Sequence, residues 1–248
     1  MSNHEDMAVL RSVKADTPPL LVAVIASQDD LARALRLRRA PDFFELRLDC
    51  LSAAAAELQH SIALLRVPLI ITARHPAEGG ANNLSPTRRR DLLLQFLPRA
   101  ASVDVELRSA EQLAAVLDAA RELKLGRIVS VHDLQGTPSL QDLREHARAA
   151  NSLGADVFKV ATRTDELDQL ERLVAFVGEA EGRRAVSAMG IGKLGRLSRR
   201  ILARNGSVVN YAHLGTSAVE GQLSVPELRR IIANSATRIA PDERRATS

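Results

Sequence analysis

The sequence predicts an α/β fold, a single-domain (β/α)8 TIM barrel, because eight short apolar, β-branched runs alternate with longer amphipathic segments along 248 residues. Two more observations agree. No low-complexity linker divides the chain, and polar residues fall at similar heights near the ends of several runs. A doubly wound open sheet is the alternative. However, no G-x-G-x-x-G follows the first run, and "GIGKLG" comes too late to serve one.

In chain order the expected strands are "LLVAVIA" (20–26), "FFELRLD" (43–49), "PLIITAR" (68–74), "SVDVEL" (102–107), "RIVSVHD" (127–133), "DVFKVAT" (156–162), "RAVSAMG" (184–190) and "SVVNYAHLG" (207–215). The segments between them carry helical spacing and good helix formers, as in "SAEQLAAVLDAARELKLG". Gly126 and Gly206 read as helix stops. Residues 1–18 are polar and mixed, and 241–248, "PDERRATS", are charged and aperiodic. Both read as tails flanking a barrel over 19–240.

Composition excludes several classes of function. With 46% hydrophobic and 26% charged residues, the chain has the balance of a soluble globular protein. No apolar run approaches the length of a membrane span, and no secretory signal is apparent, so a cytoplasmic protein is expected. A lone Cys50 leaves no disulfide framework and no Cys-rich zinc site. The net charge of +4 comes from arginines scattered among acids, and Trp is absent. That pattern fits a basic surface suited to small anions, not a nucleic-acid platform.

Strand alternation then sorts the polar residues. Glu45 and Arg47 share a face with Asp49, Thr72 pairs with Arg74, Asp104 with Glu106, Ser130 with His132, and Ser187 with Met189. Lys159 lies near the C-terminal end of its own run. If these faces point inward, the charged groups converge where barrel enzymes place their active sites. Taken singly, Lys159 reads as a rim residue, His132 as a core histidine and the acid–base pairs as interior ion pairs. Taken together, those readings bury many charges to no chemical end, which is costly. Burial beside other cations frees a lysine amine to attack a ketone, and a neighbouring histidine can then move protons. Several arginines imply a carboxylate substrate.

The motifs "FELRLD", "ITARHPAEGG", "VDVEL", "SVHDLQGTP", "ADVFKVA", "GKLGRLSR" and "EGQLS" occur in an order that resembles type I 3-dehydroquinate dehydratase, the Schiff-base enzyme of the shikimate pathway. The resemblance implies syn elimination of water from 3-dehydroquinate to give 3-dehydroshikimate, with no metal or organic cofactor and often a homodimer. Lys159 of "FKVA" would form the imine, His132 of "SVHD" would move the protons, and Glu78 of "EGG" would orient His132. Glu45, Arg47 and Arg74 would bind ring hydroxyls and order the site. Arg199 of "LSR" would hold the carboxylate, and Gln222 of "EGQ" would lie on the closing loop. Asp104 and Glu106 would lend electrostatic support.

The chain departs from the family in two places. "TSAVEGQ" lacks the usual proline, so Ser217 takes the place of the substrate-binding serine if one residue is inserted, and Ala218 does otherwise. "MGIGKLGRLSR" is two residues longer than usual, so either Met189 or Ile191 holds the family methionine's place. Another class I aldolase-like Schiff-base barrel and a non-catalytic anion-binding barrel are the competing functions.

Overall fold

A computed structural model describes residues 10, 13–14, 17–51, 55–179, 185–217 and 219–236. Its strands are β1 (Leu20–Ile25), β2 (Phe43–Arg47), β3 (Leu69–Thr72), β4 (Ser102–Glu106), β5 (Gly126–Asp133), β6 (Val157–Arg163), β7 (Ala185–Ile191), β8 (Val209–His213) and the two-residue β9 (Leu223–Ser224). The helices are α1 (Gln28–Leu35), α2 (Leu48–Leu51), α3 (Ala55–Ile62), α4 (Pro86–Phe96), α5 (Ala114–Glu122), α6 (Leu140–Ser152), α7 (Leu167–Glu179), α8 (Gly195–Leu202) and α9 (Val225–Ala236). All strand pairs are parallel, in the order β7-β6-β5-β4-β3-β2-β1-β8-β9. The expected (β/α)8 alternation is present.

The seam between β7 and β8 closes less regularly. Val208 N donates to Val186 O at 2.9 Å, Ala188 N donates to Ser207 Oγ at 3.0 Å, and Ser187 Oγ donates to Val209 O. Because β1 occupies one edge of β8, β9 takes the other edge and pairs Leu223 with Ala212. The loop before β9 is thereby brought to the C-terminal mouth of the barrel.

Period-two alternation divides the core. Outward residues such as Leu46, Ile71 and Val105 pack beneath Leu92, Leu93 and Phe96 of α4. Each such fully buried side chain contributes about 1.5–3 kcal/mol. Ser85 caps α4 by accepting from Arg88 N, and Pro86 fits its first turn. Inward residues Val22, Phe43, Ile70, Ile128, Val157 and Val209 fill the lower interior.

Leu10 and Val13 join that inner cluster and are buried. Two apolar side chains three residues apart can plug the barrel's lower interior, so part of the 1–18 segment is packed. The segment 241–248 lies outside the described residues. Gly126 is also not the stop of α5, since the left-handed residue there is Lys124, with φ 58°. Gly126 opens β5 instead, where a Cβ would meet Ser102 Oγ at 2.4 Å and Leu10 Cβ at 3.0 Å. Gly206, at φ 101°, does follow α8 as expected.

Candidate active site

The inward polar residues form one charge-matched network at the C-terminal half of the barrel. Three carboxylates, Glu45, Asp104 and Glu106, meet three cations, Arg74, Arg89 and Lys159. Arg74 Nη2 donates to Asp104 at 3.1 Å, while its Nη1 donates to Glu106 at 3.2 Å and to Ser130 Oγ at 2.9 Å. Ser130 passes its own hydroxyl hydrogen to Asp104 at 2.6 Å. Behind the strands, Arg89 of α4 donates to Glu106, to Ala73 O at 2.7 Å and to Ser109 Oγ at 3.1 Å. Burying this many charges is tolerable because each is both paired and hydrogen-bonded.

Lys159 sits inside this network. Its Nζ donates to Asp104 Oδ2 at 2.8 Å and to Glu45 Oε1 at 3.3 Å, and lies 3.9 Å from the centroid of the Tyr211 ring. Thr72 Oγ1 donates to the same Glu45 oxygen at 2.9 Å, which fixes that carboxylate. Although burial opposes it, Arg74 and Lys159 hold the Asp104 carboxyl well below the usual range, so Asp104 is ionised.

His132 pairs with Glu78. One Glu78 oxygen lies 2.9 Å from His132 Nδ1 and also accepts from His132 N at 2.9 Å. The turn that delivers Glu78 depends on two glycines. Gly79 has φ 83°, and a Cβ on Gly80 would stand 2.2 Å from Arg74 O. Burial, with Arg74 and Lys159 nearby, holds the His132 imidazole well below its ordinary range, so it is neutral. Burial and the Glu106 carboxylate push Glu78 up to about 7, against Arg74, the His132 N–H and Arg108. Arg74 Nη1 also lies 3.2 Å from His132 Nδ1, but it has better acceptors in Ser130 and Glu106. We therefore assign the Nδ1 proton to the Glu78 contact, which leaves Nε2 as the basic nitrogen.

These groups open on one cavity of about 380 Å³, within the range of small-molecule sites. Lys159, His132, Glu78, Glu45, Arg47, Arg74, Arg199 and Gln222 all line it. So do both Met189 and Ile191. Arg47 is held by Asp49 through bonds of 2.9 and 2.7 Å. Arg199 reaches in from α8, and its Nη1 donates to Tyr211 O at 3.2 Å, but its buried Nε has no hydrogen-bond partner among the described residues. Burial alone pulls it down to about 10.

The loop before β9 contributes Val219, Glu220 and Gln222, and Gly192 N ties it to β7 by donating to Glu220 O at 3.2 Å. Ser217 does not join the site. It is exposed, and its Oγ donates to Val219 O at 2.5 Å. Among the described residues, no group of three or more His, Cys, Asp or Glu side chains is placed to hold a metal ion. Nor is any helix there long and apolar enough to cross a membrane.

The family model for type I 3-dehydroquinase matches residues 21–238. The chain belongs to the type I 3-dehydroquinase family. A 3-dehydroquinate dehydratase of Thermococcus onnurineus is 36% identical over 198 residues, covering 77% of this chain and 86% of that protein. One from Methanothermobacter thermautotrophicus is 34% identical over 194 residues, covering 77% of this chain and 84% of its own. The crystal structure of 3-dehydroquinate dehydratase from Geobacillus kaustophilus superposes with a TM-score of 0.80 at 27% identity, covering 90% of this chain and 93% of that one.

Within this type I 3-dehydroquinase, sequence reasoning found the groups that meet in the cavity but not all that hold them. Arg89 went unnoticed in the run "TRRRD", although it shares a helical face with Leu92, Leu93 and Phe96 and is buried with them. Tyr211 could have been found from its alternation with Val209 on β8. Asp49, expected as a strand residue, falls in α2 and serves instead to hold Arg47, Arg74 N and Ala81 N.

Proposed function

We propose that this type I 3-dehydroquinase dehydrates 3-dehydroquinate through an imine on Lys159. The reaction is that of a carbon–oxygen lyase. The observation that carries the covalent reading is the cavity itself: Lys159, neutral His132 and Arg199, which meets no carboxylate among the described residues, all face it.

Arg199 holds the substrate carboxylate, and Glu45, Arg47, Arg74 and Gln222 order the ring hydroxyls. Lys159 gives up one ammonium proton and attacks the C3 ketone as the amine; the ketone oxygen takes up that proton and a second from the nitrogen and leaves as water as the iminium forms. The iminium acidifies the C2–H, and His132 Nε2 takes that proton. The resulting enamine expels the C1 hydroxyl, to which His132 returns the proton, so water leaves. A second water then hydrolyses the iminium, releasing 3-dehydroshikimate and restoring Lys159. Glu78, ionised, accepts from His132 Nδ1 and keeps Nε2 free for this work.

The exposed position of Ser217 supports no substrate contact. We further propose a cytoplasmic homodimer, the assembly the family resemblance implies, and sedimentation equilibrium at twice the chain mass would support it. The chemical proposal is tested by borohydride reduction in the presence of dehydroquinate, followed by peptide mapping. The expected result is a substrate adduct on Lys159 that is absent from Lys159→Met. Substantial dehydration by that variant would end the covalent reading.

A further inference from the structure

Tyr211 has no part in the reading above, although its ring lies against Lys159. It stands on β8 beside the inward Val209, is 4% exposed, and has its centroid 3.9 Å from Nζ. Its backbone carbonyl accepts from Arg199 Nη1, while its own hydroxyl is buried without a hydrogen-bond partner among the described residues.

Imine formation changes what the lysine nitrogen can donate. Overall, ammonium and ketone give iminium and water. The C–N bond forms, the ketone oxygen departs with two of the nitrogen's protons, and the positive charge stays. As an ammonium, Nζ donates to both Asp104 at 2.8 Å and Glu45 at 3.3 Å. An iminium has a single N–H and can keep only one of those bonds. The attraction between a cation and a ring face needs no N–H, so it survives the change. At this buried position it is stronger than at a surface, because less water competes for the charge.

We propose that Tyr211 is a further catalytic residue, whose ring face stabilises the positive charge on the Lys159 nitrogen through the iminium stage. The hydroxyl plays no part in this. A buried oxygen with no partner is a cost to the fold and not a contribution. The inference deepens the imine reading and rests on it.

The test compares Tyr211→Phe, Tyr211→Leu and Tyr211→pentafluorophenylalanine, the last introduced by stop-codon suppression. Single-turnover iminium formation and the fraction trapped by borohydride are measured with dehydroquinate. Tyr211→Phe keeps the ring and should stay within about twofold of wild type. The leucine and pentafluoro variants should form iminium about ten- to thirtyfold more slowly, the loss expected of a desolvated cation–ring contact.

Fluorination leaves the ring's shape nearly unchanged while removing its negative face. A packing role would therefore leave the pentafluoro variant as fast as Tyr211→Phe, and that result would overturn the inference. Should the leucine variant fail to fold, the two aromatic variants decide alone. No adduct in wild type would overturn the imine reading and this inference together. A wild-type adduct with equal aromatic variants would remove only the role of Tyr211.

Discussion

Arg74 and Arg199 both end in the same cavity and are both almost wholly buried, at 3% and 6% exposure, yet among the described residues only Arg74 has carboxylates around it. Asp104, Glu106 and Glu45 surround Arg74 and, against the pull of burial, strengthen its hold on its proton. Among the described residues Arg199 has a backbone carbonyl, an unpartnered Nε and no carboxylate, so burial weakens its hold. Pairing suits a group whose task is to keep other groups in place. A buried guanidinium left without an anion suits a group whose anion arrives with the substrate. The barrel thus holds a charge-paired half built from β2–β6 and a receptive half at β7, β8 and the loop between β8 and β9.

The comparison breaks most sharply at Arg74. Arg74→Met leaves three buried carboxylates to two cations, Lys159 and Arg89, and should cost about 3–5 kcal/mol of stability, read from denaturant unfolding. Adding Asp104→Asn should restore part of that loss, because Glu106 keeps Arg89 and Glu45 keeps Lys159. If Arg74→Met unfolds like wild type, the network does not hold the site together.

Arg199→Met should do the reverse. Losing a buried charge partner for the substrate costs about 2–5 kcal/mol of binding, raising KM roughly thirtyfold to several-thousandfold. Stability should hold or rise, because the removed charge had no carboxylate in the folded protein. A large loss of stability with KM unchanged would make Arg199 structural.

A smaller effect lies in the response to pH. The folded protein raises Glu78 from 4.5 to about 7, so it holds that proton more tightly than the unfolded chain. Its contribution is complete below about 4.5 and fades as pH rises to about 7. His132 acts in the opposite sense. Its folded imidazole sits well below 6.5, so stability is lost as pH falls and the unfolded histidine takes up protons. Between about 4.5 and 6.5 the two slopes oppose each other in wild type. Glu78→Gln should unmask the His132 slope and lose stability relative to wild type as the pH falls through that window. Activity needs ionised Glu78, so kcat/KM should climb with pH through about 7, and the Gln variant should lack that limb. An unchanged limb would separate Glu78 from the chemistry.

The least effect is expected at Ser217. Its hydroxyl already donates to Val219 O and it stands in solvent, so Ser217→Ala should leave KM within about twofold, less than one neutral hydrogen bond is worth. A tenfold rise would show that the loop turns Ser217 inward over bound substrate.

The two halves also differed in how legible they were. Alternation along "FFELRLD", "SVDVEL" and "RIVSVHD" was enough to bring Glu45, Asp104 and His132 to one face, because strand geometry alone decides it. Ser217 was harder. A loop has no period, and the position of one inserted residue within "TSAVEGQ" changes which side chain points inward. Arg89 lies between these cases. Its helical phase with Leu92 and Phe96 is visible, but two neighbouring arginines conceal it, and its partner Glu106 ends the next strand, where no helical period points to it.

The most direct test of the account is the fate of His132→Ala under borohydride. Lys159 attaches the substrate and His132 carries out the elimination, so the variant should still form the imine and then stall. Turnover should fall by about 10²–10⁴-fold, while the mass of the reduced protein shows dehydroquinate still bearing its C1 hydroxyl, joined to Lys159. Wild-type turnover, or no adduct on Lys159 in either protein, would contradict it.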